Sequence, residues 1–394
     1  MSPSPRFSIL IPTRNRPEFL RTTLQSCLSQ SFSDFEIIVS DNSVSHPARE
    51  LIEQFSDPRI RYFHQESELE MFGNWEFTYS QARGDFQILI GDDDAIVPNC
   101  LEVIQGIIAE SGCDFVACDY ARYVYPAGVS GRGLKGNSYW YPTRESTDVF
   151  ALSKLEILAT CFESSGLTKA ASTKTKLIPH PLASFISKEL LDVTRRHQGR
   201  IMAFPQGDAG ILVAVGLAKN IRYVPRPLVI LGMQPQAASN NMLAGKREAY
   251  RKYMNRMELT PLSGCTFANT VLETHLGIAN VFRTNPETLG FPVELQASIV
   301  IRHFREILSD ERWSARQLLE LARDLVRVTF SNRISLSRKG EIISGFVRLL
   351  LRTLFDRVRG RKSSYAVDKI EYQDCPDNVT DILSFATELK RLQA

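Results

Sequence analysis

The sequence predicts an α/β protein. Residues 1–240 read as a Rossmann-like domain around a mostly parallel sheet, and residues 241–394 as an α-helical C-terminal domain. Three observations lead there. From residue 6 to about residue 120, short β-branched or aromatic runs alternate with stretches of helical periodicity, the pattern of βαβ units. From Gly245 onward helical periodicity dominates and strand signals nearly vanish. Between the two lies the polar stretch QPQAASNN, and 394 residues exceed what one hydrophobic core usually organises.

Strands are expected at Phe7–Ile11, Glu36–Ser40, Ile60–Phe63, Phe86–Ile90 and Phe115–Cys118. After the first, Leu20, Leu24, Cys27 and Leu28 recur at helical spacing. Asn15 and Glu18 form a capping-box pattern, with Pro17 in the first turn, where a missing N–H costs nothing. Helices are expected over Trp75–Ala82 and Asn99–Glu110. Residues 126–138 hold four glycines and little apolar mass, which reads as a long mobile loop. Structure resumes at Tyr139–Tyr141, with a helical segment over Asp148–Phe162. The stretch Phe204–Leu231 reads as loop, helix (Ala209–Lys219) and a strand pair at Ile221–Val224 and Leu228–Leu231.

Composition narrows the function classes. The chain is 43% hydrophobic and 23% charged, as soluble globular proteins are. Its net charge of +3 argues neither for nor against nucleic acid, and none is expected among its partners. Seven cysteines without a CxxC pair fit reduced thiols in the cytoplasm better than a disulfide framework or a zinc site. The N-terminus shows no signal-peptide core, and no stretch reaches the 18 or so apolar residues that span a bilayer. GxSxG, P-loop and GxGxxG motifs are absent. None of the six histidines is paired at metal-ligand spacing, and His180 falls on a loop expected to border an acceptor.

In an open α/β sheet, ligands bind beyond the carboxyl ends of the strands. That rule nominates Pro12, Thr13, Arg14 and Asn15 after the first strand. It also nominates Asp41, Asn42 and Ser43 after the second, and Gly91, Asp92, Asp93 and Asp94 after the fourth. Three consecutive carboxylates raise one another's pKa unless a cation neutralises them. Mg²⁺ or Mn²⁺, held by one or two carboxylates plus substrate phosphates, is the natural remedy. The bland alternative is a solvated acidic turn capping the next helix, but its position at the end of a buried strand favours the metal. Asp41 alone is good turn chemistry. Beside an acidic strand end it becomes a candidate for gripping the base or ribose of a nucleotide.

The segments Ser8–Ser43 and Arg83–Pro98, taken together at this spacing, resemble the family 2 glycosyltransferases with the GT-A fold. The resemblance implies an inverting transfer from a nucleoside-diphosphate sugar to a hydroxyl, in cell-surface glycan or polysaccharide synthesis. It implies that Asp41 contacts the nucleotide base, with Pro12, Thr13 and Arg14 bordering the donor. It also implies that Asp92 lies near the ribose, and that a Mn²⁺ or Mg²⁺ ion bridging the diphosphate is ligated by Asp93 or Asp94. The register between these two is open, because Gly91 stands where the commoner D-x-D-D form has its first acid. A general base in such enzymes sits just before a downstream helix. Gln206-Gly207-Asp208-Ala209 resembles that segment, so Asp208 is the expected base; its plainer role is a helix N-cap.

Two rival functions share part of this pattern. A sugar nucleotidyltransferase would want a Gly-rich basic loop after strand one, where this chain has Pro12-Thr13-Arg14-Asn15. A non-catalytic nucleotide-sugar-binding module would not need the intact triplet together with Asp208. The expected acceptor is a glycan or a lipid-linked glycan. Residues 335–362 carry eight basic and two acidic side chains around an apolar stripe. Such a helix either docks peripherally on the anionic cytoplasmic membrane face or packs its stripe into a helical domain.

Overall fold

The computed structural model describes residues 4–44, 48–129, 133–163, 179–202, 211–235, 339–348 and 371–393, with residues 281, 323, 326 and 351. Asp208, the linker after residue 235 and most of the expected helical domain lie outside the described residues.

Four parallel strands form the heart of the sheet, in the order β3-β2-β1-β4: β1 (Phe7–Thr13), β2 (Phe35–Asp41), β3 (Ile60–His64) and β4 (Phe86–Leu89). β1 and β2 are near-continuous apolar runs buried on both faces, as parallel strands under two helical layers must be. Alternate residues feed two cores. Ile9, Ile11, Ile37, Val39 and Ile88 meet α1 (Pro17–Leu28) and α4 (Cys100–Ser111) on one face. Leu10, Ile38 and Leu89 share the other core with Phe72 and Tyr79 of α3 (Met71–Gln81).

Beyond β4 the sheet becomes mixed. β9 (Ser184–Ser187) runs antiparallel between β4 and β6 (Phe115–Val124), and β6 pairs in parallel with β10 (Ile221–Met233). Short antiparallel ladders add β5 (Ala95–Ile96) and β8 (Phe150–Ala151) to β10, β7 (Ser138–Trp140) to β6, and β11 (Gln373–Asp374) to β7. The long ladders are the parallel ones.

Several elements depart from the sequence expectations. The capping box does not form. Asn15 has a left-handed φ of 56° and gives its backbone N–H to Ser43 Oγ at 2.7 Å, so Arg16 becomes the N-cap, without a side-chain cap bond. The expected strand pair at 221–231 is one strand with a bulge around Pro227, because proline cannot donate to the ladder yet the apolar run resumes beyond it. α3 starts four residues before Trp75, which packs edge-on against Phe72. The expected helix over 148–162 is shortened to α5 (Lys154–Glu163) by β8. Likewise α7 (Leu212–Leu217) is the described part of the helix expected from Ala209. Part of the expected mobile loop at 126–138 is built: Val129 is buried and bridges Leu134, and Ser138 opens β7.

β9 and α6 (Lys188–Gln198), the latter capped by the Ser187 hydroxyl, fill a stretch where the sequence signalled nothing. At the C-terminus α8 (Ile382–Leu392), with a capping box of Asp381 and Ser384, buries Ile382, Phe385, Ala386 and Leu389 in the same core as β1. Burial at that i, i+3, i+4, i+7 spacing, about 1.5–3 kcal/mol for each large side chain, fastens the end of the chain onto the sheet domain.

Candidate functional site

Parallel register sets the site. Thr13 pairs with Asp41 across β1–β2, and Leu10 pairs with Leu89 across β1–β4, so Asp92, three residues beyond Leu89, comes level with Thr13. The Thr13 hydroxyl donates to Asp92 Oδ2 at 2.6 Å, tying the ends of β1 and β4 together. Thr23 of α1 braces the turn from beneath, its hydroxyl lying 2.9 Å from the Asp92 carbonyl and 2.7 Å from that of Asp94.

All three carboxylates of the turn are buried: Asp92 is 0%, Asp94 3% and Asp93 8% exposed. Their partners differ. Asp92 accepts from Thr13 and from the backbone N–H of Arg14, and its Oδ1 faces Arg16 Nη2 at 2.6 Å. Asp94 is committed inward: Oδ2 accepts Gly91 N–H at 2.6 Å and Oδ1 accepts Gly232 N–H at 2.9 Å. Asp93 is held more loosely, with the Gln234 side chain nearby and Arg16 Nη1 at 3.7 Å. Its carbonyl accepts from the Tyr125 hydroxyl at 3.1 Å, and the Tyr125 ring packs edge-on against Phe19 of α1.

Burial, with repulsion from Asp93, pushes the Asp92 carboxyl up to about 7 against the pull of Arg16 and Thr13. Burial and the Asp93 charge push Asp94 up to about 8. Burial also raises Asp93, against Arg16 and Gln234. For Arg16 burial acts downward, but the three carboxylates outweigh it and hold the guanidinium above its ordinary value. Asp92 and Asp93 around one guanidinium form an oxygen-only donor set whose buried carboxylate forms a divalent cation would favour, and such donors suit Mg²⁺ or Mn²⁺. Among the described residues no group of three or more His, Cys, Asp or Glu side chains is placed to hold a metal ion by itself. Such an ion therefore fits only in the shared form, with one or two carboxylates and ligand phosphates completing the shell.

Asp41 is fully buried. Oδ1 accepts Ser43 N–H at 3.0 Å, and Oδ2 accepts the Tyr62 hydroxyl at 2.8 Å and Ala48 N–H at 3.4 Å. Its neighbour Asn42 clamps Leu69 through both backbone groups, at 2.7 and 2.9 Å, and so fixes the entry to α3. Pro12 is half-buried, and Arg14 pairs with Glu68 at 2.8 Å at the rim.

The structure thus brings Thr13, Asp41 and Asp92–Asp94 to one sheet edge, with Pro12 and Arg14 beside them; Asp208 lies outside the described residues. Sequence reasoning missed Arg16, Thr23, Tyr125 and Gln234. Only Arg16 left a usable signal, since a buried acidic triplet requires a nearby cation. Gly91 also gains a reason. A Cβ there would stand 2.9 Å from carboxylate oxygens of both Asp93 and Asp94, so a side chain at this position would push those carboxylates aside.

Residues 8–170 match the family model described as Glycosyl transferase family 2. Among curated proteins, the chain is 34% identical over 103 residues to the GalNAc(5)-diNAcBac-PP-undecaprenol beta-1,3-glucosyltransferase of Campylobacter jejuni, covering 25% of this chain and 33% of that one. It is 25% identical over 195 residues to glycosyltransferase GlyG of Streptococcus pneumoniae, covering 49% of this chain and 60% of that one. The match therefore spans less than two thirds of either relative's length. Among solved structures, S. aureus TarS 1-349 in complex with UDP-GlcNAc aligns at 14% identity and a TM-score of 0.47, over 95% of this chain and 98% of that one. The stretch that matches the glycosyl transferase family 2 model, residues 8–170, contains Thr13, Arg16, Asp41 and the Asp92–Asp94 turn.

Proposed function

We propose that the chain is an inverting glycosyltransferase that moves a sugar from a nucleoside-diphosphate donor to a hydroxyl of a glycan or lipid-linked glycan. The observation that carries this reading is the buried Asp92–Asp94 turn, level with Thr13 and Asp41 at the carboxyl ends of adjacent parallel strands. In this reading Asp41, Pro12, Thr13 and Arg14 border the nucleotide, and Asp92 faces the ribose. Asp93 is the principal ligand of a Mn²⁺ or Mg²⁺ ion, because both Asp94 oxygens already accept backbone N–H groups. When bound, that ion supplies positive charge beside the departing diphosphate.

The chain's own part is to hold the donor, exclude water from the sheet edge and take a proton. The acceptor oxygen attacks the anomeric carbon as the bond to the diphosphate oxygen breaks, and the hydroxyl proton passes to the carboxylate of Asp208. A single displacement inverts the anomeric centre. The C. jejuni relative is named for a glucosyl transfer to a glycan on undecaprenol diphosphate, which favours an acceptor of that class here. Residues after 240 then serve acceptor recognition, self-association or peripheral contact with the cytoplasmic membrane face. Among the described residues no helix is long and apolar enough to cross a membrane.

The nucleotidyltransferase reading is weaker. The turn after β1 is pinned by Asn15 N–H on Ser43 and by Arg14 N–H on Asp92, and it lacks the glycines such a loop would use. Calorimetry with UDP and GDP, with and without Mn²⁺, tests the reading. Asp93→Asn should abolish metal-dependent nucleotide binding while the fold persists, and unchanged metal-dependent affinity would refute the assignment.

A further inference from the structure

Arg16 reaches across from the N-terminus of α1 to the acidic turn and is the cation that the described structure places against it, 2.6 Å from Asp92 and 3.7 Å from Asp93. The guanidinium is largely enclosed, with 27% of the side chain exposed, yet its partners are the very groups that a divalent ion would engage. Arg14, two residues earlier, is turned to the rim and engaged with Glu68. Asp92 and Asp93 share this one guanidinium, so an arriving divalent cation competes with Arg16 for the same oxygens. A diphosphate arriving with that cation brings negative charge back to the same place.

We propose that Arg16 is a donor-diphosphate ligand that exchanges partners: it neutralises Asp92 and Asp93 in the metal-free protein and turns its guanidinium to the diphosphate once a divalent ion takes Asp93. This rests on the function proposed above and adds a residue to it. The physical case has two parts. A guanidinium and a divalent ion compete for one carboxylate, so the arginine must weaken binding of the ion alone. The planar fork of arginine matches phosphate oxygens two at a time, so it must strengthen binding of the diphosphate when the ion is present. A residue that merely props the turn would affect both in the same direction.

Calorimetry with Mn²⁺ alone, and with inorganic pyrophosphate at saturating Mn²⁺, reads these two effects separately and without a nucleobase. In Arg16→Gln, Mn²⁺ alone should bind about tenfold tighter, and pyrophosphate with Mn²⁺ about tenfold more weakly, the scale of one charge-assisted hydrogen bond. Arg16→Lys, which keeps the charge and loses the fork, should leave Mn²⁺ affinity near that of the wild type and weaken pyrophosphate severalfold. If Arg16→Gln weakens both ligands together, or leaves pyrophosphate affinity unchanged, the exchange is refuted. Should Arg16→Gln fail to fold, Arg16→Lys decides: unchanged pyrophosphate affinity overturns the proposal. Wild-type protein that binds neither Mn²⁺ nor pyrophosphate would instead refute the underlying function.

Discussion

Replacing Gly232 with alanine drives a methyl group into the backbone that carries the acidic turn. A Cβ at this position of β10 would stand 1.8 Å from the Asp93 carbonyl oxygen and 2.8 Å from its carbon, where ordinary contact begins at 3.4 Å. Closing a gap of about 1.6 Å requires backbone to move on one side or the other, since both atoms belong to the Asp93 backbone. Overpacking of this kind costs about 1–3 kcal/mol. The same displacement pulls the Gly232 N–H from Asp94 Oδ1, now 2.9 Å away, and leaving a buried N–H unpaired costs about 1–3 kcal/mol. A loss of about 4 kcal/mol lowers Tm by roughly 10 °C in a domain of this size. Scanning calorimetry of Gly232→Ala beside Gly106→Ala isolates the cause. Gly106 lies inside α4 with nothing within 4 Å of its would-be Cβ, so alanine there should stabilise by about 0.5–1 kcal/mol. Gly232→Ala with wild-type Tm and wild-type Mn²⁺-dependent UDP affinity would refute the claim that this contact fixes the turn.

Asp208→Asn should still bind donor and metal while turnover falls about 10²-fold or more, and proton NMR of the wild-type product should show an inverted anomeric centre; near-normal turnover in a folded variant removes Asp208 as the base. The acidic turn also sets a pH dependence. Burial raises Asp92 to about 7 and Asp94 to about 8 from the ordinary carboxylate value of 3.8, so folding takes up protons between these values. Their contribution is fully present below about pH 4 and is lost as pH rises through 7 to 8. The Tm of metal-free protein should therefore fall between about pH 4 and 8, and saturating Mg²⁺ should flatten the decline; a flat metal-free profile counts against it. Residues 338–362 should give salt-sensitive adsorption to anionic vesicles, because Ile343, Val347 and Leu351 are exposed at four-residue spacing beside the basic side chains, while Ile342 and Phe346 are buried. Equal sedimentation with neutral and anionic lipid, or none with either, would assign the segment to packing alone.

What the sequence determined by itself is the part of the molecule where local pattern and tertiary demand coincide. A strand buried on both faces must be apolar along its length, so β1 and β2 were legible from composition, and the helices behind them from their 3.6-residue stripes. Polar residues that interrupt such runs at their carboxyl ends stand out, and so Thr13, Asp41 and the Asp92–Asp94 turn could be placed at one sheet edge before any coordinates.

Only the tertiary structure decided what depends on residues far apart in the chain. β9 is four residues long and owes its existence to the edges of β4 and β6, which no window around Ser184 contains. The stripe of α8 was readable as amphipathic, but that it closes on the core of β1 rather than in a separate helical domain follows from the space left beside α1, β5 and β10. The division of labour within the triplet has the same origin. Asp94 turns inward because Gly232, 138 residues on, offers it an N–H. Asp92 and Asp93 instead meet the guanidinium of Arg16, held at the cap of α1 because Asn15 takes the left-handed turn that brings its N–H onto Ser43.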